Sequence, residues 1–329
     1  MAVKTKEVQA FQGNSLLNST LDKINKKNIG VYLGLLLLVA VSSILSPVFL
    51  TSENIFNTLR QASAIGIVSL GATLVILNGG IDLSVGSILT LAACMTTGLM
   101  AGKNGVTLPV ILAVLVVGML FGFINGIIIT KRRVEPFIIT LGVSTVIQGI
   151  VLLVTKGSPV GQIAPNLKFL GNGYLWIIPV PVIVFAITFI IASVVLHRTI
   201  FGRYLYSVGG NAEAARLSGI KVDRNKIYVY MISGLSAAIA GIVLASRVSV
   251  GDPYMGRGFE LDAIAAAVIG GTSMAGGVGG LTGTIAGVLI ITVMNNMLNL
   301  LNISPFIQQI IKGLIIIAAV IFQKKAAKR

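Results

Sequence analysis

The chain is poor in charge, cysteine and histidine. Only 11% of its 329 residues are Asp, Glu, Lys or Arg, against about 25% in soluble globular domains. The single cysteine, Cys94, allows no intrachain disulfide, and with the single histidine, His197, it gives too few ligands for a metal site. No HExxH or GxSxG motif occurs, so the familiar hydrolase signatures are excluded. A phosphate-binding G-x-x-x-x-G-K-[ST] loop is also missing. GLMAGKN (98–104) has one residue too few before its Gly-Lys pair, so the chain does not bind ATP through such a loop. No cofactor is called for. The first 30 residues lack the apolar core and cleavage site of a secretory signal.

What is present is apolar sequence: 55% of residues, with a mean hydropathy of +0.95. Continuous runs of this length imply membrane spans, and only helices or closed barrels satisfy the backbone in lipid. The runs do not alternate, which selects an all-α polytopic membrane fold. Ten segments are predicted near 31–50, 56–78, 84–101, 107–130, 137–155, 174–196, 227–246, 260–272, 281–302 and 306–322. The eighth is short for a span of about 20 residues, so it is expected to be tilted, broken or buried in protein. With the N-terminus inside, eighteen basic residues fall in cytoplasmic segments and five in outer loops. This asymmetry supports ten spans with both termini cytoplasmic. The organisation expected is a cytoplasmic tail (1–30), one transmembrane domain (31–322) and a basic cytoplasmic tail (323–329). The net charge of +15 lies in connections and not on one basic face, which argues against nucleic acid as a partner.

The chain carries signs of duplication. GMLFGFINGIIITKRRVEPFI (118–138) and GVLIITVMNNMLNLLNISPFI (287–307) align without gaps and share PFI. Five helices per half would make the second half inverted, an arrangement common among transporters. Gly118, Gly122 and Gly126, and again Gly279, Gly283 and Gly287, recur every fourth residue. Such stripes let helix backbones approach closely, and intramolecular packing is the expected use.

Polar groups inside the spans are mostly neutral amides, suited to hydrogen bonding a neutral, hydroxyl-rich solute. Candidate path or gate residues are Asn78, Asp82, Ser84, Asn125, Gln148, Asn295, Asn296 and Asn299. Asp82 sits in NGGIDLSVGS (78–87), where glycines permit a backbone break and Asp82 or Ser84 can cap the helix that follows. The longest cytoplasmic connection is 197–226. Within it NAEAARLSG (211–219) predicts a short helix: Asn211 as N-cap, Glu213 in the first turn, Arg216 late, Gly219 in the left-handed position beyond the end. So short a helix needs a surface to dock on.

GGNAEAARLSGIKV (209–222), NGGIDLSVGS, FELDAIAAAVIGGTS (259–273) and NNMLNLLNISPFIQQIIKG (295–313) resemble hallmark segments of the monosaccharide ABC importer permeases, the ribose, galactose and xylose group, nearest to its ribose-type members. The likeness runs from about residue 31 to 322. It implies a non-enzymatic permease in the cell (inner) membrane, working as a homodimer. It also implies a separate cytoplasmic ATP-binding subunit and an extracytoplasmic binding protein that delivers a monosaccharide, ribose first and galactose or another next. The coupling role then falls on Asn211, Glu213, Ala214, Ala215, Arg216 and Gly219. Docking of the binding protein falls on Arg247, Asp252, Arg257 and Glu260 in the loop 246–262. On the residues alone, a stand-alone ion-coupled carrier of a small polar solute stays open as the alternative.

Overall fold

A computed structural model describes residues 30–327. The tail 1–29 and residues 328–329 lie outside the described residues. The helices are α1 (Gly30–Leu45), α2 (Ser52–Leu77), α3 (Val85–Met100), α4 (Thr107–Arg132), α5 (Pro136–Thr155), α6 (Pro165–Asn172), α7 (Val180–Arg198), α8 (Ile200–Gly210), α9 (Ala212–Leu217), α10 (Val222–Val248), α11 (Phe259–Ile269), α12 (Leu281–Leu300) and α13 (Pro305–Ala327). A two-stranded hairpin, β1 (Tyr174–Leu175) and β2 (Ile178–Pro179), precedes α7. Six helices, α2, α4, α5, α7, α10 and α12, are long and apolar enough to cross a membrane.

The long helices divide by burial. In α2, 83% of the apolar window is buried inside the protein, against 17% in α5 and α7. So α2 is central and α5 and α7 are peripheral. The largest core cluster joins α2 (Ile67, Val68), α3 (Val85, Leu89) and α10 (Ala237, Ala240). The glycine stripes serve this packing except at Gly279, which lies in the loop before α12 at φ +136° against Thr272. Gly118, Gly122 and Gly126 of α4 lie directly on the α10 backbone, and Gly283 and Gly287 of α12 lie on that of α11. A side chain at any of these positions would collide with backbone of the neighbour.

The eighth apolar segment is short because α11 has only 11 residues, and it is almost wholly buried. Both α3 and α11 follow non-helical segments that run into the bundle, 78–84 from the end carrying α9 and 249–258, mostly turns, from the opposite end. The second runs beside α3: Gly251 packs on Cys94, and the Gly256 amide donates to Thr90 Oγ1 at 3.0 Å. The region expected as an outer loop is therefore partly inside the protein. The sixth segment begins later than its hydropathy suggests. Residues 174–179 form the hairpin and α7 starts at Val180, since Pro179 and Pro181 favour a helix start over a helix interior. In the same way α10 begins at Val222, five residues before the apolar run it was read from.

Candidate functional site

The short helix expected in the connection is α9, and both of its ends are finished. Asn211 Oδ1 accepts from the Ala214 amide at 2.9 Å. At the other end Gly219 takes φ +82°, its amide donates to the Arg216 carbonyl, and the Ile220 amide donates to the Ala215 carbonyl, each at 3.0 Å. These two bonds make a Schellman motif. Ala215 turns inward against Val208 and Val222, so it seats α9 on its own protein and does not face a partner. Ala214, Glu213, Arg216 and Leu217 face out. Leu217 is 82% exposed, an apolar residue with no covering that sequence reading missed. Its signal was available: it is the one large apolar side chain in AEAARL.

Behind α9 three backbones meet. The Gly277 amide donates to the Leu77 carbonyl at 2.8 Å, joining the 273–280 loop to the end of α2. Gly209, at the end of α8, lies so close that an added Cβ would strike the Leu77 carbonyl oxygen. Tyr206 Oη donates to the Gly279 carbonyl at 2.9 Å, and burial pushes its phenol pKa up, which keeps the donor proton in place. These contacts join α8, which leads directly into α9, to the start of segment 78–84.

Within that segment Asp82 is only 2% exposed. Its Oδ1 accepts from the Ser84 amide (2.9 Å) and the Ser84 hydroxyl (2.6 Å), and its Oδ2 from the Ser233 hydroxyl of α10 (2.8 Å). Asn125 of α4 donates to Ser84 Oγ at 2.8 Å. Ser84 is the N-cap residue of α3 but makes no side-chain cap bond. The capping idea is thus sharpened: the carboxylate binds the N-cap residue itself and ties α3 to α10, with α4 reached through Ser84. Asn78 closes α2 and is buried nearby in sequence.

Two polar cavities lie toward the opposite end. The first, about 480 Å³, opens between α3 and α5 beside the 254–260 segment. Ser87, Thr90, Ser144, Thr145, Gln148 and Glu260 supply its polar wall. Gln148 Nε2 donates to the Pro253 carbonyl at 2.9 Å. Ser144 and Thr145 were missed in the sequence, although GVSTVIQG (142–149) is a polar cluster within an otherwise apolar helix. The second cavity, about 400 Å³, lies among α2, α10, α11, α12 and α13 and includes Asn295, Asn299 and Gln308. Lys312 Nζ lies 2.9 Å from Asp262 Oδ2 on its wall.

The remaining candidates separate. Asn296 exchanges two amide hydrogen bonds with Asn54, at 3.0 and 2.7 Å, and is a packing residue. Arg247 donates to Asn57 Oδ1 at 2.7 Å and lines the second cavity. Asp252 accepts from the Tyr254 amide at 2.7 Å, and Glu260 from the Gly258 amide at 3.3 Å. Arg257 is exposed and borders both cavities.

Comparison with known proteins then fits this geometry. The chain is 44% identical to the ribose import permease protein of Bacillus subtilis (strain 168), covering 98% of this chain and 99% of that one. It is 44% identical to the Escherichia coli (strain K12) ribose import permease protein over 89% and 92%. It is 33% identical to the xylose transport system permease protein of Haemophilus influenzae over 91% and 97%. No solved structure matches. Residues 54–320 match the family described as branched-chain amino acid transport system / permease component, and the chain, a multi-pass helical membrane protein, belongs to that permease family.

Proposed function

We propose that the chain is the permease subunit of an ATP-driven importer that passes a monosaccharide, ribose first, delivered by an extracytoplasmic binding protein. The observation that carries this reading is α9. It is capped at both ends, seated on the glycine joint behind it, and left uncovered on the side bearing Glu213, Arg216 and Leu217. A cytoplasmic ATP-binding subunit is the partner for that face, since this chain has no phosphate-binding loop of its own and is not an enzyme. The substrate follows from the relatives named for ribose and xylose transport, and the hydroxyls of Ser87, Thr90, Ser144 and Thr145 with the Gln148 amide give the first cavity groups that hydrogen bond a sugar.

In this reading both termini are cytoplasmic and ten helices span the membrane in two inverted halves. The short α3 and α11, each preceded by a non-helical segment entering from opposite ends, support the inversion. A second copy completes the path along α5, whose Gly142 and Gly149 meet nothing within 4 Å. The binding protein docks at the opposite end around Arg257. Closure of the ATP-binding subunits moves α9, and the joint at Leu77, Gly209 and Gly277 relays that motion to Asp82 and α3.

The carrier alternative needs an intramembrane carboxylate free to load an ion. The two buried acids among the described residues are both engaged, Asp82 by three hydrogen bonds and Asp262 by Lys312. The deciding experiment follows labelled ribose uptake in cells. Loss on ATP depletion with no response to an uncoupler is expected; the reverse pattern would establish a carrier. Co-purification with an ATP-binding subunit is the second expected result.

A further inference from the structure

The hairpin before α7 has a feature the transport reading does not use. Tyr174 pairs with Pro179 and Leu175 with Ile178, leaving Trp176 and Ile177 as a two-residue turn. Trp176 is the only tryptophan of the chain, and it is 96% exposed. Its φ is +60°, a left-handed conformation that favours glycine and strains a side chain as large as indole. A strained backbone that holds a large apolar group in the open points to a use for that group. Leu175, Ile177 and Ile178 beside it are also exposed, and no charged side chain or histidine occurs from 169 to 196.

The surroundings identify what covers this tip. α7 has 19 residues, about 28 Å at 1.5 Å per residue, close to the roughly 30 Å of a bilayer's hydrocarbon core. His197 and Arg198 mark its α9 end, so the hairpin stands at the other boundary. Ile187, Ile190, Ile191 and Val194 form an exposed stripe along α7, and the apolar hairpin continues that surface. The base is fixed to α2: the Arg60 guanidinium lies 4.7 Å from the Tyr174 ring centre, and Phe56 meets the same ring edge-on at 5.7 Å. A protein docking site would carry a polar rim; the tip from Leu175 to Ile178 is wholly apolar and exposed.

We propose that the hairpin 174–179 is a bilayer-interface anchor. Trp176 sits at the headgroup level, where its amphipathic ring is favoured, and Tyr174 passes that fixed depth to α2. A lone tryptophan makes the test direct. The full chain is placed in phosphatidylcholine–phosphatidylglycerol vesicles, and emission is excited where tyrosine does not absorb. Lipids spin-labelled near the headgroup are expected to lower the emission about twofold, with a smaller effect from labels deep in the chains, as an interfacial indole requires. Aqueous iodide is expected to quench weakly. Trp176→Gly, which relieves the positive φ and so is expected to fold, supplies the background and should abolish the signal. Strong iodide quenching without lipid quenching places the tip in water and overturns the proposal. Shielding from both quenchers means that protein covers it, which overturns the proposal as well.

Discussion

The two non-helical segments that precede α3 and α11 have similar positions and opposite character. Segment 78–84 carries a buried hydrogen-bond network without a counter-ion: Asp82, Ser84, Ser233 and Asn125. Segment 249–258 borders both polar cavities, and the helix after it is held by an ion pair, Asp262 to Lys312. One break is pinned next to α8 and α9, and the other stands beside open volume. The contrast teaches that a broken helix can serve as a rigid relay or as a wall of a path, according to whether its polar groups are consumed locally. Asp82→Ala tests the rigid side most severely. It orphans one amide and two hydroxyls in the core, and each unmade buried bond costs roughly 1–3 kcal/mol. The expected loss is about 3–9 kcal/mol, read as a large fall in the detergent unfolding midpoint. Asp82→Asn keeps one acceptor and is expected to fall between. A midpoint unchanged in the Ala variant would show that the network is dispensable.

The opposite side is tested through Lys312. Removing it as Lys312→Met leaves Asp262, 9% exposed in its side chain, without its cation. Breaking such a buried pair costs about 3 kcal/mol. The double variant Lys312→Met/Asp262→Leu is expected to recover most of that loss, because the desolvation of both charges disappears together. Failure of the double variant to recover would mean that the pair shapes the cavity and not only the packing of α13. The joint between the two regimes is probed by Gly209→Ala, whose Cβ would meet the Leu77 carbonyl. An overpacked contact costs about 1–3 kcal/mol. Uptake should fall further than stability does, since the joint lies on the relay; parallel losses would reduce Gly209 to a packing residue.

Much of this contrast could be read in the chain beforehand. The helical membrane fold, the caps of α9 and the packing use of the glycine stripes follow from local rules: hydropathy, N-cap chemistry, the left-handed glycine and fourfold spacing. Three features depend on long-range contacts and were not readable. Asp82 finds Ser233 across 151 positions, so its tie to α10 could not be seen from NGGIDLSVGS. Asn296 and Asn295 are adjacent in sequence, yet one is consumed by Asn54 and the other lines a cavity. The run 174–196 has the hydropathy of one span, but its two prolines divide it into hairpin and helix. Hydropathy counts apolar residues and does not register where a missing amide forces the backbone to turn.

The smallest expected effect on stability lies on α9 itself, where the comparison comes down to what a charge is for. Arg216 lies 3.8 Å from both Glu213 and Asp223, and all three side chains are about half exposed or more. Exposed pairs of this kind contribute roughly 0–1 kcal/mol before screening by salt. Glu213→Gln should therefore leave the unfolding midpoint of the permease within about 0.5 kcal/mol of its starting value, the range usual for surface substitutions. If the outward face is the seat of the ATP-binding subunit, the same substitution weakens co-purification and ATP-dependent uptake. Leu217→Asp, placed on the same face at a side chain 82% exposed, should weaken both further. At Asp82 the chain uses charge to hold itself together. A loss of partner binding without a loss of stability would show that at Glu213 it uses charge for another molecule. A loss of stability with binding intact would return α9 to the inside of the protein's own packing.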